Sequence, residues 1–595
     1  MSLSSSSGSA HNIEISNVFV KSHRIMTSVK LSIDSITFKR DFKGSKEATL
    51  TLAPDRPSLP SSTPLIVQVR LDRFFNKTRC ITVERQHLLS NAGTTNKQGN
   101  LEEYRTTVDE IEVVIKFILS GLRPTTDGIF ERCPRFRVLV IGRTGAGKTS
   151  LIRNTFGIKE ALVSDKKVGE CDINEELTSE DENKRFVLHD SKGFEPGDED
   201  SYDTVMKFLN ERKEKPDIKD QVHAIWLCFS IPIRSERLFE TGAEKFLQLL
   251  SDGQLDQMPV IATFTKYDKL VDDTIIYHSG DAVEPDEKIE AVARARLDEL
   301  CVEPFRQKIG KKTDIPTIAV STAENYERTL HELTQLTTEL VGKHLSEDVA
   351  VLSAVAQQVS PTVKLDAVIA VGKKRYWTIL ASTVKLSGNE PETVLQNIHQ
   401  DIITIFNLQD PKELLDSKVF KSMVAGIVSQ EDVLSLKQMA TSLSMLGALA
   451  AVVTALSGPV APIVLPIAAT LVVGHWTVLL LKQANIVLQR LMTYIVALTL
   501  IMQVIFAITT STKNVVSRRL VKVAVKAFLD SPQPGHIHSA IKQHLHRHPG
   551  ALLGRESVLE NITELIQLNR MSSDDVAEIK NMMKDFDISH DESWY

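Results

Sequence analysis

Between Ile13 and Ile118 apolar and polar residues alternate in short stretches broken by turn residues, as in KLSIDSITF, ATLTLAPDRPS, LIVQVRLD and CITVE. In the stretch from Leu65 to Leu71, Val67, Val69 and Leu71 fall on one face while Gln68 and Arg70 fall on the other, the period of a half-buried strand. The spacing predicts an antiparallel β-sandwich over residues 13–118. From 133 to 345 the rhythm changes to near-continuous apolar runs, FRVLVIG, RFVLHD, HAIWLCFSI, PVIATFTK and PTIAVS, separated by helical segments. Strands of that kind are buried on both faces, which predicts a doubly wound parallel sheet whose ligand lies at the carboxyl ends of its strands. From 346 to 530 the pattern is helical, and residues 531–595 read as a polar helical tail opened by DSPQPG. The fold class expected is multidomain α+β, ending in an all-α region with apolar helices.

Two uncharged runs stand out in that region. The first extends from about Gln438 to Leu481, where only His475 could carry charge and Gly458-Pro459 interrupts, so it predicts an apolar helical hairpin with Pro462 and Pro466 in its second opening turn. The second, Leu491 to Thr512, is long enough to span a bilayer and is followed by Lys513, Arg518, Arg519 and Lys522, a flank suited to anionic lipid. The competing reading is a bundle whose central helices are apolar all round because they are buried. Burial is the favoured reading; membrane association stays open beside it.

At 595 residues the chain needs three or four units. A formal net charge of −6, without a long basic block, argues against nucleic acid as a partner. The five cysteines have no paired spacing, which points to reduced thiols rather than structural zinc. Residues 1–12 are serine-rich and lack the basic start and apolar stretch of a secretory signal, so a disordered tail and a cytoplasmic setting are expected, or else the cytosolic face of a membrane. The strand-rich region has no cluster of loop aspartates, and no calcium site is expected there. The five histidines between His536 and His548 suit a solvated helix better than a metal site.

The chemistry concentrates in FRVLVIGRTGAGKTSLI. Gly142, Gly147, Lys148 and Thr149 fit GxxxxGK[ST] between a strand and a helix. Glycines let the backbone amides of Gly142, Arg143, Thr144, Gly145, Ala146 and Gly147 curl around phosphates, while the following helix presents its positive end. Lys148 would reach the terminal phosphate oxygens, Thr149 would offer a hydroxyl to Mg²⁺, and Ser150 completes the loop. Arg143 is expected to face solvent or a dimer partner.

Nucleotide identity rests on three segments further along the chain. FVLHDSKGFEPGDE places Asp190 at a strand end, able to hold the Mg²⁺ shell, with Gly193 three residues on, able to sense a γ-phosphate. His189 beside it is expected to be packed or hydrogen-bonded. In PVIATFTKYDKL, Thr265, Lys266 and Asp268 match the guanine-reading [NT]KxD pattern: a carboxylate only accepts, and guanine, unlike adenine, presents two adjacent donors. Lys266 would lay its methylenes along the base. In IAVSTAEN, Ser321, Thr322 and Ala323 stand where a backbone amide would contact the guanine oxygen. GTP or GDP with Mg²⁺ is therefore preferred to ATP.

In this order the motifs resemble the G domain of the large P-loop GTPases, nearer in wording to septin-like, immunity-associated and dynamin-like branches than to Ras-like ones. More narrowly, VLVIGRTGAGKTS, HAIWLCFSIPI and VIATFTKYDKL, with PLIVQVRLDRFF before them and LSGPVAPIVLPIAA behind, resemble the multidomain G domain-containing proteins of mushroom-forming fungi. The resemblance implies a lipid-binding-like β domain, a G domain and an apolar helical region. The sequence departs from Ras-like enzymes at Phe194, where they carry the glutamine that orients water. Neither Ser164 nor Thr178 can be assigned as the switch threonine. Slow GTP hydrolysis within a switch or assembly protein, in which a G-domain homodimer could complete catalysis, is the first expectation. A membrane-associated scaffold that binds GTP without turnover is the second.

Overall fold

The computed structural model describes residues 11–33, 36–52, 58–59, 64–71, 78–83, 88, 101–121, 123–158, 173–179, 182–190, 199–233, 236–239, 241–253, 255, 258–278, 286–310, 314–374, 376–377, 391–429, 444–456, 484–512, 515–547, 555–583, 586 and 592–594. It contains an antiparallel sheet, then a mixed sheet with helices, then helices alone.

The first region consists of β1 (His11–Ile33), β2 (Ile36–Thr51), β3 (Ser58–Leu59), β4 (Leu65–Leu71), β5 (Thr78–Val83), β6 (Leu101–Val108) and β7 (Ile111–Gly121). β1 pairs with β7 through its first half and with β4 through its second, while β2 runs along its other side. Its buried residues change parity twice, from Ile13 and Ile15 to Val18 and Val20, then to Val29, Leu31 and Ile33. Each change coincides with a register shift, one between Ile15 and Asn17 against β7, the other between Met26 and Ser28 against β4. An extra residue on one strand reverses which side chains face inward, so the irregular alternation in the sequence is the record of two bulges. The strands form one hydrogen-bonded antiparallel sheet threaded by β1, and both arms of β1 contribute to one core.

A short helix, α1 (Thr125–Arg132), leads into the second region. There follow β8 (Phe136–Ile141), α2 (Lys148–Phe156), β9 (Leu177–Ser179), β10 (Asn183–Asp190), α3 (Glu199–Lys213), β11 (Ala224–Ser230), α4 (Thr241–Ser251), β12 (Val260–Thr265), α5 (Tyr267–His278), α6 (Asp286–Leu297), α7 (Glu303–Ile309), β13 (Thr317–Val320) and α8 (Glu327–His344). The strand order is β13-β12-β11-β8-β10-β9, parallel except for β9. Successive residues of β8 enter different cores. Leu139 and Ile141 pack with Phe208, Phe246 and Phe264 on one face, while Phe136, Val138 and Val140 pack on the other with Trp226 and residues of the helical region. Burial on both faces is why the alternation visible in β4 is missing from β8.

The helical region contains α9 (Glu347–Ala356), α10 (Pro361–Lys374), α11 (Pro391–Phe406), α12 (Lys418–Ser429), α13 (Met445–Leu456), α14 (Ala484–Thr512), α15 (Arg518–Asp530), α16 (Gln533–Arg547), α17 (Arg555–Leu568) and α18 (Ser573–Met583). α14 is long and apolar enough to cross a membrane, yet its most apolar stretch is buried inside the protein, against α10, α11, α12, α15, α16, α17 and α18. Thr493, Thr499 and Thr509 turn their hydroxyls back onto the carbonyls of Gln489, Ile495 and Ile505, which satisfies them in a dry core. The first arm of the expected apolar hairpin is α13; its second arm lies outside the described residues, as does Lys513.

Two of the four expected lipid-facing cations are paired inside the protein. Arg519 and Lys522 are buried and meet Glu592 at 3.3 and 3.1 Å, and the Lys522 ammonium also donates to the Ser593 carbonyl. Residues 592–594 thus close over α15, because two desolvated cations demand a carboxylate. In α16, Pro534, Ile537, Ile541 and Leu545 are buried, and His544 pairs with Ser557, so this helix is half packed rather than fully solvated.

α1 starts after Pro124, which offers no side-chain acceptor to the first amides. Asp401 of α11 supplies it, accepting from the Thr125 and Thr126 amides and the Thr126 hydroxyl at 3.1, 2.8 and 2.8 Å. Burial nonetheless outweighs these bonds and raises the Asp401 carboxyl to about 6. The native state therefore binds this proton more tightly than the unfolded chain, and the stability it contributes is full below the unfolded value of 3.8 and is lost as pH rises through about 6. Wild-type protein should lose about 2 kcal/mol from this group between pH 4 and 7. Asp401→Asn should lack that decline, and denaturation midpoints that run parallel for the two proteins across this range would refute the assignment.

Candidate functional site

The strand register aligns five carboxyl ends at one edge. Asp190 stands level with Val140, Leu227 with Ile141, Ser230 with Thr265, and Thr265 with Val320. β8 lies between β10 and β11, so the chain leaving β8 enters the crevice where crossovers depart in opposite directions.

The path of the chain beyond β8 is dictated by sterics. A Cβ at Gly142 would lie 2.4 Å from the Cys228 carbonyl oxygen, so only glycine lets the chain turn out of the sheet here. Gly145 and Gly147 have φ of 76° and 81°, in the left-handed region. Gly145 occupies a position that the motif leaves unspecified, and its backbone explains its presence. Thr144 and Gly145 form the exposed crest, Ala146 is buried beneath it, and Lys148, Thr149 and Ser150 open α2. The Lys148 ammonium lies across the loop, donating to the Gly142 and Arg143 carbonyls at 2.8 and 3.3 Å. A small cavity behind the loop is lined by Gly142, Arg143, Cys228, Ser230, Leu238 and Ala243.

The [NT]KxD residues are tied to this loop and to the last strand. Thr265 donates its hydroxyl to the Ala146 carbonyl at 2.7 Å, clasping the end of β12 to the phosphate loop. Lys266 has φ of 66°, unusual for a non-glycine residue, which holds the chain in a sharp turn before α5. Asp268, in the first turn of α5, accepts the Ser321 hydroxyl at 2.6 Å, and Ser321 is buried. The sequence pattern suggested only a backbone role for the segment around Ser321; its side chain aims the Asp268 carboxylate, while Thr322 is exposed beside it. The Ala323 amide that the pattern offered to a ligand donates instead to the Ser321 hydroxyl at 3.0 Å.

Arg143 meets Glu236 of its own chain at 3.6 Å. Burial lowers the Lys266 ammonium, with neighbouring Lys269 and Arg143 pushing the same way and Glu236 opposing them. Glu236 thus moderates two cations at the mouth of the site. It lies in an irregular connection after β11, and no motif points to it.

His189 is buried, its Nδ1 2.9 Å from the Ile173 carbonyl and its Nε2 3.4 Å from the Arg137 guanidinium. Arg137 in turn reaches Glu176 at 2.6 Å. Nδ1 therefore carries the hydrogen, and the ring holds the segment leading into β9 against β10. Thr178 lies within β9, beyond Leu177, which pairs with Leu188, so it is directed away from the aligned carboxyl ends. Gly193, Phe194 and Ser164 lie outside the described residues.

The residues present suit a magnesium–nucleotide complex: a loop whose backbone is shaped by Gly142, Gly145 and Gly147, a cation within it, and two hard oxygen donors, the Thr149 hydroxyl and the Asp190 carboxylate, on adjoining elements at the same edge. Burial depresses the His189 ring to about 4. His189 should therefore remain neutral between about pH 5.5 and 8, with flat NMR ring resonances over that range. A titration midpoint near 6.5 would show that the Ile173 anchor does not form.

Residues 137–266 match the family described as 50S ribosome-binding GTPase, and residues 414–578 match a domain of unknown function (DUF8505). Among solved structures the chain is similar to the LeoA bacterial dynamin GTPase from ETEC, with 13% identity, a TM-score of 0.24, and coverage of 75% of this chain and 85% of that one. No curated protein matches it. The family match falls on the glycine loop, on Asp190 and on the strand that ends at Thr265, and the chain thus contains a P-loop GTPase domain.

Proposed function

We propose that the chain binds GTP and GDP at the crevice between β8, β10 and β12 and acts as a nucleotide-dependent switch. The observation that carries this reading is the pair of bonds that joins the base-reading residues to the phosphate loop and to the last strand: Thr265 to Ala146 and Ser321 to Asp268. The glycine loop from Gly142 to Gly147 holds the phosphates through its amides, Lys148 neutralises the terminal pair, and Asp268 accepts from the two adjacent donors of guanine. Bound Mg²⁺, held by Thr149 and Asp190, supplies charge neutralisation at the phosphates. Gly193 senses the γ-phosphate in this reading, Lys266 covers the base and Thr322 lies at its rim.

Hydrolysis is slow on this reading. His189 is the histidine beside the Asp190 strand end, and both of its ring nitrogens face partners within the fold. Arg143 is engaged by Glu236. Either a second copy of the chain or the substrate itself completes the chemistry. Burial of α14 supports a soluble bundle core for the helical region rather than a bilayer span.

Lys148→Ala should reduce GTP affinity roughly 100-fold or more, because the charge-assisted contacts of the ammonium have no substitute. Equilibrium binding of a fluorescent GTP analogue measures this, and wild-type affinity in the variant would discard the site. Turnover per molecule should rise with protein concentration if a second copy contributes; a flat profile over roughly a hundredfold range would discard the homodimer.

A further inference from the structure

α2 has nine residues, and its two ends face different parts of the protein. Its first turn carries Lys148, Thr149 and Ser150. Its last turn is closed largely from elsewhere. Gly157, at φ of 67°, returns its amide to Arg153, while the Gln358 amide, from the chain leaving α9, donates to the Thr155 carbonyl at 2.8 Å. The Phe156 carbonyl receives a side chain, the amide of Asn183, at 2.8 Å.

Asn183 opens β10, the strand that ends at Asp190. It is 1% exposed, and its amide group is used to capacity. One N–H goes to Phe156 and the other to the Ala356 carbonyl, the last residue of α9, at 2.7 Å. Its oxygen accepts from the Asn407 side chain at 3.1 Å and the Arg185 amide at 3.3 Å. Gln358 closes the circuit by donating its side-chain amide to the Asn407 carbonyl at 3.2 Å. Two residues further on, the Gln409 carbonyl accepts from Val516, between α14 and α15. One buried amide therefore joins the far end of the phosphate-loop helix, the far end of the Asp190 strand, and two segments of the helical region.

We infer that Asn183 is the positioning residue through which bound nucleotide and the helical region sense one another. α2 and β10 are the two rigid elements whose near ends meet the phosphates and Mg²⁺ in the nucleotide reading on which this inference rests. A shift of either at the site moves Phe156 or Asn183 at the other end. The Asn183 amide cannot release the Phe156 or Ala356 carbonyl without orphaning a buried donor, so residues 356–358 and, through Asn407, 407–409 follow, and with them the junction of α14 and α15. By linkage, opening of the helical region weakens nucleotide binding by the same factor by which bound nucleotide disfavours that opening.

The test uses the full chain with GDP and hydrogen exchange across residues 484–530. In wild type, saturating GDP should slow exchange there by about fivefold or more. Asn183→Ala should bind GDP and lose most of that slowing. Asn407→Ala, a change at a partly buried residue, serves where Asn183→Ala does not fold, and should likewise bind GDP and lose much of the slowing. A wild type that binds GDP without slowing, or folded variants that keep the full effect, would overturn the inference while leaving the nucleotide site standing. A wild type that binds no guanine nucleotide would defeat the site assignment, and the coupling with it.

Discussion

A helix leaves its first four N–H and last four C=O groups without internal partners, which in one of nine residues is close to half of its backbone polar groups, and α2 is such a helix. Its amino end faces the glycine loop, where free amides suit an anion. Its carboxyl end is buried, and buried carbonyls require donors. The protein meets that requirement with Gln358 and Asn183, and Asn183 in turn draws in Asn407 from beyond α11. The phosphate-loop helix is thereby completed by the helical region, and the GTPase domain does not end where its sequence family ends.

The same continuity appears in the packing. One face of the parallel sheet lies against its own helices around Phe246 and Phe305, whereas the other shares a core that runs through Trp226 to α14. A helix as apolar as α14 is stable only where its whole circumference is dry, and here the surrounding helices provide that. The buried cations of α15 obey the same logic, since removing Arg519 and Lys522 from water obliges Glu592 to accompany them. Linker helix α1 depends on the helical region as well, because Pro124 cannot cap it and Asp401 of α11 does.

At the site, geometry narrows what each charged group can do. Lys148 spans the loop that the glycines shape, and Asp268 is aimed by a hydroxyl from the neighbouring strand end. Arg143 has a counter-ion in its own chain, and His189 is a neutral brace for the approach to β9. The arrangement is well furnished for holding a nucleotide; its described side chains include no obvious free base.

Period-two and near-continuous apolar patterns were enough to separate the strand-rich region from the parallel sheet, because alternation directly reports one buried face or two. The glycine loop was legible for a similar reason: backbone that must turn left-handed or pass within 2.4 Å of a carbonyl tolerates few residue types. Asp268 stands out in the sequence as an acceptor after a strand end, and the structure places it against the Ser321 hydroxyl. Glu236, the hydroxyl of Ser321 and the amide of Asn183 were not, since each acts through a partner tens or hundreds of residues away and none has a local signature. The uncharged run at Leu491 marks the limit most clearly. Its composition determined that it must avoid water, and it suits lipid and protein interior equally. Only the packing of the surrounding helices decided which environment it occupies, because hydrophobicity specifies what a segment leaves, whereas tertiary contacts specify where it goes.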